Sequence, residues 1–181
     1  MLPIGHIAAG FLVGVGFTKL FLPEAPLETL GHFGIWGAFW GFAPDLDELW
    51  FFYKNKSLLV APGKVDKYHR NFVTHAPLLW LILGILASTL SKSQFWRQMG
   101  YVVWLSSWTH FLLDSIEYGI PWLWPYSQKL YALKGAGIKP FVIEEKNFFK
   151  HSLQFLLYYT QTLSFYLEII IIIIAVFVYI R

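Results

Sequence analysis

The chain alternates between long apolar blocks and short polar breaks. Residues 3–22 (PIGHIAAGFLVGVGFTKLFL) form the first block, which ends in the acidic, proline-bounded turn 23–28. A second block covers 30–43 and stops at Pro44-Asp45-Leu46-Asp47-Glu48. A polar, basic stretch from Lys54 to Arg70 follows, then blocks at 76–90, 99–113 and 163–180. Apolar runs of this length predict helices rather than strands. The first and last are long enough to cross a hydrocarbon core of about 30 Å at about 1.5 Å per residue. The middle three give only about 21 Å of helix, so their polar ends are expected below the headgroup plane. Block one has no basic segment ahead of it, and its Ala-Ala-Gly run comes too early for a cleavage site, so it reads as a retained span. Between 114 and 162 the pattern turns amphipathic. Pro121-Trp122-Leu123-Trp124-Pro125 is expected at the interface, and 147–160 (NFFKHSLQFLLYYT) as a helix lying on the membrane surface. The expected architecture is all-α: a polytopic membrane helical bundle of about five transmembrane helices with interfacial helical segments, forming one domain over 1–181. No internal repeat interrupts it.

Composition sharpens this picture. Hydrophobic residues make up 56% and charged residues 14%, where a soluble domain carries about 25% charged. Mean hydropathy is +0.51. The nine Trp and ten Tyr suit a headgroup boundary, where an apolar ring and a polar tip are both satisfied. Cysteine is absent, which excludes disulfides, thiolate metal sites and a Cys nucleophile. The net charge of +3 is too scattered for direct nucleic-acid binding, but it has a direction. Ten of the 14 basic residues (Lys54, Lys56, Lys64, Lys67, Arg70, Lys129, Lys134, Lys139, Lys146 and Lys150) fall in the loops 53–75 and 114–162. The positive-inside rule then sets the N-terminus in the cytoplasm.

On that topology the unusual polar residues gather at one face. His6 starts the first helix, Asp45 and Asp47 follow the second, His69 and His75 precede the third, and His110 and Asp114 close the fourth. Acids and imidazoles at that depth are costly unless paired, and a divalent cation supplies the missing countercharge. His110 and Asp114 are an i,i+4 pair about 5–6 Å apart at Cβ, suited to a shared metal or to a plain helical hydrogen bond. The two carboxylates after the second helix oppose its dipole and so call for another partner. His69-Arg70-Asn71-Phe72-Val73-Thr74-His75 puts two imidazoles and a guanidinium into seven residues, although His75 alone suits a cap and Arg70 a lipid phosphate. The conjunction points to a metal site more strongly than any member. His32 falls at the opposite face and reads as structural. The spacing of His151 is uninformative.

The series His6, Pro44-Asp45-x-Asp47, His69-Arg70-x-x-x-Thr74-His75 and His110-x-x-x-Asp114, with the later Trp124-Pro125, resembles the YdjM-like family of inner-membrane-associated metal-dependent hydrolases, also described as LexA-binding. The resemblance runs from His6 to about Pro125. It implies an inner (cytoplasmic) membrane protein with His6, Asp45, Asp47, His69, Arg70, Thr74, His75, His110 and Asp114 in its site. The chain departs from the family pattern at Glu48, where His is common, and at Asn71 and Ala76, where Gly and Ser are. A looser similarity, to zinc-dependent phospholipase C and single-strand-specific zinc nucleases, points to phosphoester hydrolysis.

The expected chemistry follows. His75, His110, Asp114 and Asp45 would hold one or two divalent ions, zinc first and manganese or magnesium after it, with His6 and His69 as further ligands. Asp47 or Glu48 would accept a proton or bridge a second ion, Arg70 would grip a phosphate oxygen, and Thr74 would orient a neighbouring ligand. Membrane lipids are the expected surroundings and a lipid-like phosphoester the expected substrate. Two rival classes predict different features. A divalent-cation transporter needs polar groups through the bilayer depth, to which Glu168 alone contributes little. A non-catalytic metal-binding scaffold needs a closed ligand shell.

Overall fold

The computed structural model describes residues 1–47, 50, 53, 72–117, 119–134 and 148–180. Glu48, His69 and Arg70, and the side chain of His151, lie outside the described part. Six α-helices carry the described chain: α1 (Pro3–Phe21), α2 (Leu27–Phe42), α3 (Pro77–Leu90), α4 (Gln94–Asp114), α5 (Phe148–Tyr159) and α6 (Leu163–Tyr179). Among the described residues there is no strand, only an isolated bridge between Ile120 and Tyr131 that closes the turn holding the Trp122–Trp124 segment. The all-α expectation holds.

α4 is longer than its apolar block. It begins at Gln94 and runs 21 residues, about 31 Å, because Gln94, Arg97 and Gln98 are good helix formers although they are not apolar. α2 likewise starts at Leu27, before its apolar run, with Glu28 in the first turn, where a carboxylate favours the helix dipole. Of the described helices, α1 alone is both long and apolar enough to cross a bilayer. α6 meets that test together with the end of α5, from which it is bent by 84°, and α3 is apolar but shorter.

Small residues set how closely the helices approach. A Cβ on Gly10 would lie 2.2 Å from the Gly37 carbonyl oxygen, and one on Gly14 would lie 1.9 Å from that of Phe33. The backbones of α1 and α2 therefore touch, as they do where lipid leaves van der Waals packing as the main attraction between helices. Gly84 on α3 and Gly100 on α4 repeat the device, each with a would-be Cβ under 3 Å from the other's carbonyl oxygen. Between these pairs sits a core of Phe17, Phe33, Trp80, Met99, Val102 and Phe111.

The surface is inverted relative to a soluble protein. Ile169, Ile170, Ile173, Ile174 and Phe177 of α6 and Ile82, Leu83, Ile85 and Leu86 of α3 are exposed, whereas His6, Asp45, Asp47, His75, His110, Asp114, Glu117 and Glu168 are buried. Charged residues are almost never fully buried without partners, and apolar patches this large mark contact with something other than water.

Candidate metal centre

Two short turns deliver the central ligands. Pro44 cannot continue α2, and the chain tightens into a 3-10 turn, Ala43–Asp45, that carries Asp45 inward. Upstream of α3, Pro77 forces Ala76 into an extended conformation (φ −91°, ψ 113°). The preceding 3-10 turn, Val73–His75, buries His75 completely. Trp80 Nε1 donates to the Thr74 carbonyl at 2.6 Å and pins that turn to α3. The close approach of α1 and α2 continues to Gly41, where a Cβ would sit 2.6 Å from the His6 carbonyl oxygen. That contact brings the start of α1 to the end of α2.

The result is a buried cluster. His75 Nε2 and His110 Nε2 each lie 3.5 Å from Asp45 Oδ1. His110 Nε2 is 3.7 Å from Asp114 Oδ2, and His6 Nε2 is 3.2 Å from Asp114 Oδ1. The His6 ring stacks on His110 with centroids 3.8 Å apart. The α-amino group of Met1 also donates to Asp114 Oδ1, at 2.7 Å. The ligand atoms of His6, Asp45 and His110 lie within 4.8 Å of one another, and so do those of His75, His110 and Asp114.

The outer nitrogens of two rings are already committed. His75 Nδ1 is 2.8 Å from Asp47 Oδ2, which also accepts a hydrogen bond from the Thr74 hydroxyl. His110 Nδ1 is 2.9 Å from the Gly41 carbonyl oxygen. An acceptor on Nδ1 fixes the tautomer with its proton there and turns a basic Nε2 inward, the arrangement common to metal-bound histidines. Burial alone would raise the Asp45 carboxyl. Its contact with His75 and the fields of the neighbouring His110 and His6 rings outweigh that, and the group is held at about 2, below the ordinary 3.8.

These residues fit a divalent metal. Both ring nitrogens of His6 and Nε2 of His110 are buried without a hydrogen-bond partner among the described residues, a costly state that a Lewis acid relieves. Separations of 3.5–3.7 Å between the inward donor atoms are close to the edge of about 3.3 Å for a tetrahedron of ligands at about 2.0–2.1 Å. The donors are imidazole and carboxylate, which suit zinc.

Of the residues singled out in the sequence, His6, Asp45, His75, His110 and Asp114 come together. Asp47 and Thr74 stand one layer behind, against His75. His32 is exposed, near the opposite end of α2 from Asp45. The Gly41 carbonyl was not legible in the sequence, since a backbone oxygen leaves no mark in a motif. Glu168, a lone acid in an apolar run, has its contacts beside this cluster.

A helical membrane protein with a buried His/Asp centre is the class these features define. The chain belongs to the YdjM inner membrane protein family, which it matches over residues 1–181. No curated protein and no solved structure matches it.

Proposed function

We propose that the chain is a membrane-embedded, metal-dependent hydrolase acting on phosphoester bonds of a lipid or other amphiphilic substrate. The observation that carries this reading is the convergence of His6, Asp45, His75, His110 and Asp114, in which the ring nitrogens of His6 and Nε2 of His110 are buried with no hydrogen-bond partner among the described residues. His75, His110, Asp45 and Asp114 would hold one zinc ion, with His6 beside them as a further ligand. A divalent ion held by these residues would supply Lewis-acid chemistry at the site, making water more acidic there, towards a pKa of about 7. The Asp47 carboxylate keeps His75 in its basic tautomer and stabilises positive charge on that ring. Thr74 holds Asp47 in turn. Glu48, His69 and Arg70 complete the proposal from the sequence, with Arg70 as the phosphate fork and Glu48 as a proton acceptor.

The five-span topology, N-terminus in the cytoplasm, belongs to this proposal. It rests on the five apolar blocks, the Lys/Arg bias and the exposed aliphatic faces of α3 and α6. The lipid-like substrate rests on the same surface, since a centre at one end of such a bundle is nearest to headgroups. A transporter is disfavoured because the buried ionisable groups gather at one end. Even Glu168 meets the first turn of α1.

The near-complete burial of the ligands, each 0–5% exposed, favours one second reading, a structural metal with no open position. Metal analysis of the detergent-purified chain beside His75→Ala and Asp114→Ala tests the centre, and release of phosphate from phosphoester lipids tests the chemistry. Stoichiometric zinc that both folded variants lose, with hydrolysis abolished in Asp114→Ala, is the expected result. Hydrolysis that survives Asp114→Ala overturns the catalytic assignment, and metal without any hydrolysis selects the structural role.

A further inference from the structure

Glu168 is a charged residue in the most apolar helix of the chain, and it is 3% exposed. Its carboxylate is spent on the backbone of α1. Oε1 accepts the Gly5 amide at 2.9 Å, Oε2 lies 3.5 Å from the Leu2 amide, and the Tyr159 hydroxyl donates to Oε2. The same hydroxyl is 3.3 Å from the Leu2 amide. α1 needs this, because its N-cap is Leu2 and no side chain of its own caps the helix. The first amides of a helix must find acceptors, and an anion there also meets the positive end of the dipole. Gly5 leaves room for the arrangement, since a Cβ would lie 2.8 Å from Glu168 Cγ.

The residue after Gly5 is His6. Neither ring nitrogen of His6 has a hydrogen-bond partner among the described residues. Its ring touches Asp114 and stacks on His110, both within the centre, and among the described residues no carboxylate or carbonyl behind it orients it as Asp47 and Gly41 orient His75 and His110, so its place depends also on the backbone that carries it. That backbone is anchored from α6. Glu117, three residues beyond Asp114, accepts the Leu163 amide at 2.9 Å and so ties the start of α6 to the end of α4. The contacts form a closed circuit: Asp114 and Glu117 at the end of α4, Leu163 and Glu168 on α6, Gly5 and His6 on α1, and back to Asp114.

We infer that Glu168, oriented by Tyr159, is a positioning residue that sets His6 in the metal centre by holding the first turn of α1. This rests on the metal-centre reading of the preceding section and assigns α6 a part in it. A cap that merely stabilised α1 would affect unfolding and leave the metal's surroundings alone.

Cobalt(II) titration of the full chain in detergent separates these cases, since the visible bands of bound cobalt report its ligand set. Glu168→Ala is expected to weaken cobalt binding about 10–100-fold, the usual cost of losing an outer-shell partner, and to give the spectrum of His6→Ala. The double variant should bind no more weakly than His6→Ala alone. Glu168→Gln keeps an oxygen for the Gly5 amide and should recover most of the affinity. A Glu168→Ala protein that melts earlier yet keeps wild-type affinity and bands overturns the inference. Should Glu168→Ala not fold, Tyr159→Phe decides: weaker cobalt binding supports the circuit, and a wild-type titration overturns it. Wild-type protein that binds no cobalt removes the metal centre and this inference with it. Cobalt binding that is unchanged in His6→Ala leaves the centre standing and removes only the role of His6.

Discussion

The two carboxylates of Pro44-Asp45-Leu46-Asp47 differ in what they touch. Asp45 faces the Nε2 atoms of His75 and His110, while Asp47 is bonded to the far side of His75 and to Thr74. Their roles divide accordingly, Asp45 as a charged ligand and Asp47 as the group that orients a ligand. Asp47→Asn removes the negative charge behind His75 while keeping its shape. It is expected to weaken zinc binding about 10-fold, at the mild end for such partners, whereas Asp45→Asn should abolish stoichiometric binding. Competition titration with a chromophoric chelator measures both. Equal effects from the two substitutions would contradict the division. In the sequence both acids stood out, but their order about the metal did not, because the two steps from the end of the 3-10 turn at Asp45 to Asp47 decide which one faces inward. The role of Glu168 leaves no motif for a related reason: besides the Tyr159 hydroxyl, the donors to its carboxylate are main-chain amides, which any residue supplies.

At the level of helices, the five apolar blocks fall on α1, α2, α3, α4 and α6, and the proline-bounded breaks mark where α1 and α2 stop. Two things were hidden. The first turn of α4 mixes Phe95 and Trp96 with Gln94, Arg97 and Gln98, which interrupt the apolar run, so its length was underestimated. The glycines of α1 and α2 carry no motif of their own, yet they fix the distance between the two helices that bring His6 to Asp45. A pair of substitutions on one helix tests this. Gly14→Ala places a methyl 1.9 Å from the Phe33 carbonyl oxygen, while Gly16→Ala meets nothing within 4 Å. Alanine at 14 is expected to cost about 1–3 kcal/mol through overpacking. Alanine at 16 should be neutral or stabilise by up to about 1 kcal/mol, since glycine is the poorer helix former. Unfolding of the detergent-solubilised protein in graded denaturant gives both numbers. Equal stability in the two variants would show that the α1–α2 contact is looser than the backbone geometry requires.

For the molecule as a whole, burial and orientation are one question. Imidazoles, carboxylates and a surface of isoleucine and leucine make sense together only if the outer solvent is lipid and the polar centre sits at one end of the bundle. The Lys/Arg bias then chooses the end. Lys92, between α3 and α4, and Lys134, beyond α4, are both exposed, and α4 separates them by its 21 residues. That length is about 31 Å, a full hydrocarbon thickness. The chain has no cysteine, so Lys92→Cys and Lys134→Cys each introduce a unique thiol without removing any. In intact cells a membrane-impermeant maleimide is expected to label Lys92→Cys and to spare Lys134→Cys until the inner membrane is opened. The reverse pattern would invert the protein and place the His/Asp centre at the outer face. Labelling of both in intact cells would mean that α4 does not cross, and the short apolar runs would then belong to a bundle seated on one side of the bilayer. Only the first outcome puts the centre level with cytoplasmic headgroups, where a lipid phosphoester can reach Asp114 without leaving the membrane.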